Sequence, residues 1–294
     1  MKFGVCLPQY GREVSFEDLR AVAADAEALG FDSVWASDHV VTPEHMHNNI
    51  GPIFLDVFTV LSHVSALTSR VRLGTTVMVT PYRNPLVVAK IVATLDSLSG
   101  GRVVLGVGAG GAPDEFAALG VPENQRGART DEYLAAMIEL WTNDPSAYRG
   151  RFVNFDGVRF APKPTQRPHP PIWVGGRSDA ALRRAARFGE AWHPTSIPLE
   201  ALRERMARLA GLSADADRVS PPATTIHQAV DFDADGIGTS ERRLGRGSPS
   251  QVAEDVATYA DMGIPVVVCN FRGKGTEKIR RAMETFARQV MPQF

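Results

Sequence analysis

The sequence predicts an α/β fold, a single (β/α)8 TIM barrel with a small β-hairpin insertion after the fourth helix. Two observations carry that expectation. Short β-branched runs bounded by Gly, Pro, Asn or Asp alternate with segments whose apolar residues recur at helical spacing, and the alternation repeats eight times. The chain of 294 residues also suits one such barrel, which takes about 250 residues or more. One domain over residues 1–294 is therefore expected.

The strands read in order as Phe3 to Leu7, Ser33 to Ser37, Val71 to Val79, Val103 to Gly108, Ile172 to Gly175, Ala191 to Thr195, Thr225 to Phe232, and Pro265 to Asn270. Between them lie apolar helix stripes. The first is Phe16, Leu19, Val22, Ala26 and Leu29; the second is Val57, Val60, Leu61, Val64 and Leu67; the third is Val88, Ile91, Leu95 and Leu98. The fourth is Leu134, Met137, Ile138 and Trp141, the fifth spans Ala180 to Phe188, and the sixth spans Leu199 to Leu209. Val252, Val256 and Tyr259 follow Ser248-Pro249, a good N-cap and first-turn pair, and Ile279, Met283, Phe286 and Val290 make the eighth stripe.

Strands that alternate with helices imply a parallel sheet with right-handed crossovers, and eight units suffice to close it. Closure would set the first strand beside the eighth, with Cys6 and Cys269 on neighbouring strands. Tyr148 to Phe160, punctuated by Arg149-Gly150-Arg151 and Asp156-Gly157, reads as the inserted hairpin. The proline-rich 162–171 is an extended lead into the fifth strand, and residues 233–248, rich in Gly, Asp and Arg, read as a mobile loop.

Composition narrows the function classes. Hydrophobic residues at 44%, charged residues at 22% and a net charge of -1 describe an ordinary globular protein, with nothing pointing to nucleic acid or an acidic surface as partner. The apolar stretches are too short for a membrane span and the start lacks a signal peptide's apolar core, so a cytoplasmic protein is expected. Two cysteines fit a reducing compartment, exclude a four-cysteine zinc site within one chain, and read as buried small hydrophobes.

The residues that could carry chemistry gather at strand ends, where barrels of this kind build their active sites. Asp38-His39 closes the second strand with a carboxylate and an imidazole, which serve either proton transfer or local hydrogen bonding. The fourth strand leads through Gly108 into Ala109, Gly110 and Gly111, whose backbone N–H groups could form an anion nest. After the fifth strand come Gly175, Gly176, Arg177 and Ser178, with Ser178 placed to cap the next helix; this suits a phosphate or carboxylate, or else a tight turn with a surface Arg. His193, next to Trp192, is a rim or core histidine or a ligand contact. His45 and His47 beside Glu44 read as solvated loop residues in preference to a metal site. Hydrolase elbow, P-loop and zinc-protease motifs do not occur, which leaves a redox or lyase barrel.

Several ordered segments resemble one family: Phe3-Gly4-Val5-Cys6-Leu7-Pro8, Gly30 to His39, Arg72 to Val77, Tyr82-Arg83-Asn84-Pro85, Leu95 to Arg102, Leu105 to Gly111, Pro171 to Gly176, and Ala191-Trp192-His193-Pro194. By these the chain resembles the luciferase-like monooxygenase superfamily, and within it the actinobacterial branch using the deazaflavin coenzyme F420. The resemblance implies a β/α barrel with the ring across the carboxyl ends of the strands and its phosphate against the turns Gly108 to Gly111 and Gly175 to Ser178. It implies a non-proline cis peptide in the third strand, near Thr76-Val77, placing both residues against the ring. Asp38 would then lie by the ring, and His39 would be the catalytic proton donor or acceptor.

The sugar-phosphate dehydrogenases of that family have a catalytic Glu where this chain has Gly111, and a Trp that is absent around Pro43. Asp114 and Glu115 are the candidates to replace the Glu. The resemblance implies an F420-dependent oxidoreductase that transfers hydride between the deazaflavin and a small organic substrate, in a homodimer. Two alternatives stand beside it: a reduced-FMN monooxygenase that uses oxygen and a partner reductase, and a cofactor-binding barrel without turnover.

Overall fold

The structure is a computed structural model that describes residues 1–216, 218–232, 243–272 and 275–294. Its eight barrel strands are Lys2–Cys6, Ser33–Ala36, Arg72–Thr75 continued by Met78–Val79, Val103–Gly108, Ile172–Gly175, Ala191–His193, Ile226–Val230 and Val266–Phe271. Every neighbouring pair along this path is parallel. The circle closes because the seventh strand continues the two-residue strand Ala223–Thr224, which pairs with the sixth, while Ile226–Val230 pairs with the eighth. A parallel bridge between Thr195 and His227 completes the seam.

Closure sets Val5 opposite Cys269, so the two cysteine-bearing strands are neighbours as expected. The side chains nevertheless lie on opposite faces. Cys6 packs on an interior cluster of Trp35, Val104, Trp173, Ala191, Val266 and Val268, whereas Cys269 belongs to the layer between sheet and helices. Alternation along a strand produces that split. Cys6 is only half-buried, and its Sγ lies 3.4 Å from His227 Nε2, so it is more polar in setting than the expected small hydrophobe.

Trp35 fills the barrel because its neighbours yield space. A Cβ on Gly4 would lie 2.4 Å from the indole Nε1, and one on Gly74 would lie 2.1 Å from Cε3. Both distances are far inside van der Waals contact, so these two glycines are packing requirements.

The helices follow the expected stripes with three exceptions, of which Leu67, at the end of its helix, is 41% exposed. Phe16 and Leu98 are 70% and 77% exposed, because each ends its helix and its side chain clears the sheet. The Ser248-Pro249 start forms a full capping box with Gln251. The insertion is an antiparallel hairpin of Ser146–Arg149 and Asn154–Val158, beginning two residues earlier than read from sequence. Of the expected loop 233–248, residues 233–242 lie outside the described residues. No helix among the described residues is long and apolar enough to cross a membrane.

The third strand corrects the sequence reading. Val71 to Val79 is not one strand but two short ones flanking a cis peptide between Thr76 and Val77. Unforeseen elements crown the same end of the barrel: the short helices His47–Ile50 and Pro113–Ala118, and a ribbon pairing Tyr10–Gly11 with Ile53–Phe54.

Candidate active site

The break in the third strand pushes Val77 into the sheet, and glycines on the next strands make room for it. A Cβ on Gly108 would sit 2.8 Å from Val77 Cγ2, and one on Gly175 would sit 3.0 Å from Cγ1. Gly106 is tighter still, 1.8 Å from the Thr75 carbonyl oxygen. Glycine at 108 and 175 is therefore explained by Val77 itself. Gly110 has a φ of 75°, and Gly111 faces open space, with no heavy atom within 4 Å of a built Cβ.

A cavity of about 500 Å³ opens at the carboxyl ends of the strands. Asp38, His39, Thr76, Val77, Gly110, Gly111, Gly175, Gly176 and His193 line it, together with Tyr82. Gly108, Ala109, Arg177 and Ser178 are not among its lining residues. Ser178 instead caps the helix Asp179–Phe188 by accepting from the Ala181 N–H at 3.2 Å, as its sequence position suggested. Arg177 is exposed on the same turn.

Asp38 is buried and committed to protein partners. Arg83 grips it with two N–H groups at 2.7 and 2.9 Å, and the Val79 N–H donates to Oδ2 at 2.9 Å. The same guanidinium reaches Asp56 at 2.9 Å, so it ties the second strand's end to the start of the helix Val57–Leu67. Burial raises the Asp38 carboxyl above its ordinary range, and Arg83 opposes that shift. The fork geometry is that of an ion pair.

His39 has a different neighbourhood. Its Nδ1 lies 2.8 Å from Glu115 Oε2, and its ring meets the Phe54 ring edge-on at 5.0 Å. Glu115 is fully buried, and also accepts from the Val40 N–H at 2.6 Å, the Val41 N–H at 3.2 Å and the Tyr82 hydroxyl at 2.9 Å. Burial alone would raise the Glu115 pKa, but His39, the Val40 N–H and Tyr82 together hold it below the usual carboxylate value. Burial and Glu115 push the Tyr82 hydroxyl well up, so it stays a donor.

An ionised carboxylate only accepts, so Nδ1 of His39 carries a hydrogen and donates it to Glu115. Nε2 is left without a protein partner among the described residues, on a ring that lines the cavity. Asp114, the other candidate acid, lies 3.5 Å from His45 at the surface and does not reach His39.

His193 is a buried rim residue. Its Nε2 lies 3.1 Å from Thr76 Oγ1 and its Nδ1 lies 2.7 Å from Thr225 Oγ1, with the ring against Trp35 and Trp173. Burial, with His227 nearby, lowers its pKa to about 3, so the ring is neutral. His47, of the loop pair beside Glu44, places Nε2 3.0 Å from the Thr42 carbonyl oxygen.

Sequence reasoning missed Tyr82, Arg83, Phe54 and Thr225 as members of this site. A signal was present for Arg83: a cation just after a strand end, ahead of the Asn84-Pro85 helix start.

The closed barrel, the cavity at its carboxyl end and the imidazole–carboxylate pair facing it define a barrel enzyme site suited to proton transfer. The chain belongs to the luciferase-like monooxygenase family, whose model matches residues 1–235. It is 35% identical to an F420-dependent glucose-6-phosphate dehydrogenase of Amycolatopsis mediterranei over 183 residues, 61% of this chain and 53% of the relative. It is also 35% identical to an FMNH2-dependent dimethylsulfone monooxygenase of Pseudomonas putida over 140 residues, 46% of this chain and 38% of the relative. Among solved structures it is similar to the monooxygenase RslO1 of Streptomyces bottropensis, with a TM-score of 0.85 and 26% identity, covering 100% of this chain and 99% of the other. The family contains both F420-dependent and FMN-dependent oxidoreductases.

Proposed function

We propose that this protein is an F420-dependent oxidoreductase in which His39 gives or takes the proton that accompanies hydride transfer to or from a small organic substrate. The His39–Glu115 contact at 2.8 Å carries the reading. It leaves Nε2 for a reacting group in the cavity and sets a fixed negative charge behind the ring, where positive charge develops when Nε2 holds a proton.

The residues present fit a flavin-like group. A cavity of about 500 Å³ is of the size that holds a drug-sized ligand, and its floor is the Thr76-Val77 bulge. Gly110 and Gly111 give backbone access on one side, and Gly175 and Gly176, the latter at a φ of 97°, give it on the other. The phosphate belongs at the second turn, beside Arg177 and the start of the helix Asp179–Phe188. When bound, a deazaflavin supplies hydride and reacts poorly with oxygen.

In this reading Glu115 takes the place of the acid missing at Gly111, acting on His39 rather than on substrate. Tyr82 and the Val40 and Val41 N–H groups keep it ionised. Asp38 shapes the wall through Arg83, its oxygens being held by protein donors. A homodimer belongs to the same reading, supported by the exposed Val87 and Leu98 on one helix, and sedimentation of the purified protein tests it.

Similarity to the FMNH2-dependent monooxygenase favours a second reading, with reduced FMN, oxygen and a partner reductase. Titrating the purified protein with oxidised and reduced F420 and FMN separates the two. Tight binding of F420 alone supports the first, tight binding of FMN alone the second, and binding of neither removes both.

A further inference from the structure

The cavity floor ends in a chain of three hydrogen-bonding groups drawn from three strands: Thr76 and His193 at the ends of the third-strand segment Arg72–Thr75 and the sixth strand, and Thr225 between the two segments of the seventh. Thr76 lines the cavity; His193 and Thr225 are each 1% exposed. Oγ1 of Thr76 lies 3.1 Å from His193 Nε2, His193 Nδ1 lies 2.7 Å from Thr225 Oγ1, and the Thr225 hydroxyl donates to the Trp192 carbonyl at 3.4 Å. The imidazole is neutral, so it carries one hydrogen, and two arrangements exist.

In one, the Thr225 hydroxyl donates to Trp192 O, Nδ1–H donates to Thr225, and the Thr76 hydroxyl donates to Nε2. Each of the three hydrogens then has a protein acceptor. In the other, Thr225 donates to Nδ1 and Nε2–H donates to Thr76, which leaves the Thr76 hydrogen with no protein acceptor among the described residues. Thr76 borders the open cavity, so that hydrogen would be left to solvent there, whereas the first arrangement satisfies all three hydrogens within the protein. The first arrangement is therefore the resting one.

We propose that Thr225 and His193 are positioning residues that make Thr76 a hydrogen-bond acceptor toward the cavity, selecting a ligand edge that carries a ring N–H donor. Flavins and deazaflavins share such a group, the lactam N–H of their pyrimidinedione ring. The relay therefore contributes to holding either ring and does not choose between them. The ligand half of this inference rests on the proposed function; the tautomer half does not.

The spectrum of ¹⁵N-histidine-labelled protein at pH 7, without ligand, reads the tautomer directly. The relay requires a protonated Nδ1 and an unprotonated Nε2 at His193; the reverse assignment, or a charged ring, overturns it. In Thr225→Val the Nδ1–H loses its acceptor, so the ring moves to the Nε2–H form and donates to Thr76, whose own hydrogen then turns to the cavity and presents a donor to the ligand N–H. Binding of whichever of F420 and FMN the wild-type protein holds then weakens about tenfold. Thr225→Ser restores both tautomer and affinity.

The wild-type protein should also bind the N3-methylated form of that ring more weakly than its parent, and Thr225→Val should erase the difference. Wild-type binding that is indifferent to Thr225→Val, or to N3-methylation, overturns the relay and leaves the proposed function standing. If neither ring binds wild-type protein, the proposed function fails and the ligand half of the relay with it. The spectrum still decides the tautomer, and if Thr225→Val does not fold, Thr225→Ser and the wild-type measurements decide the rest.

Discussion

Glu115 Oε2 and His39 Nδ1 stand 2.8 Å apart although 76 residues separate them in sequence. The carboxylate also holds the Val40 and Val41 N–H groups, so one side chain sets both the direction of the imidazole and the path of the chain that carries it. Glu115→Gln keeps an acceptor of the same shape and removes the charge. Turnover should fall on the order of 100-fold with little change in cofactor affinity, as expected for a charge that acts on proton transfer. Steady-state kinetics with a parallel cofactor titration checks this. An equal loss in both would make Glu115 a binding residue.

The Asp38–Arg83 pair tests the wall of the site. The Asp38 side chain is fully buried and Arg83 is 17% exposed. Arg83→Met would strand a buried carboxylate, and breaking such a pair costs about 3 to 5 kcal/mol. Urea unfolding should show that loss, and Arg83→Met/Asp38→Asn together should recover part of it. A single variant as stable as wild type would show that the pair contributes nothing.

How much of this was legible in the sequence varies with the range of the interaction. Alternating runs of β-branched and helix-period residues revealed the barrel, because both signals are local. The break at Thr76-Val77 left no local trace, since Val71 to Val79 reads as one β-rich run; the resemblance to a family indicated it. Gly108 was read as an anion nest, yet its neighbour across the sheet is Val77, a contact made only by the folded register. Glu115 was visible only as one of two possible acids. Its distinction from Asp114 lies in which side of a six-residue helix faces the site.

Those glycine contacts make a paired prediction. Gly106→Ala places a Cβ against the Thr75 carbonyl with no flexible atom to yield, and should cost about 3 kcal/mol or prevent folding. Gly111→Ala meets open space and should change stability by less than about 0.5 kcal/mol. Unfolding midpoints of the two variants settle the comparison; equal effects would contradict the packing described.

The imidazoles of buried His193 and half-buried His227 set an acid limit on stability. Burial, with His227 nearby, lowers His193 to about 3; burial, with Arg272 nearby, lowers His227 to about 4. Below about pH 6.5 the unfolded chain takes up protons that the folded chain refuses, so their contribution, complete above that value, is lost as pH falls toward about 4 and about 3. Each imidazole contributes a slope of about 1.4 kcal/mol per pH unit in that window. Urea midpoints from pH 7 to pH 4.5 should fall more steeply for wild type than for His227→Gln, and parallel curves would contradict the assignment.

The central claim concerns His39. The measurement that meets it most directly is anaerobic consumption of reduced F420 over a panel of carbonyl, enone and nitro compounds, wild type against His39→Ala, with cofactor affinity measured alongside. The account predicts consumption by wild type without oxygen, and a rate lower on the order of 100-fold in His39→Ala at nearly unchanged affinity. Consumption that requires oxygen, or that proceeds as fast without the imidazole, would contradict it.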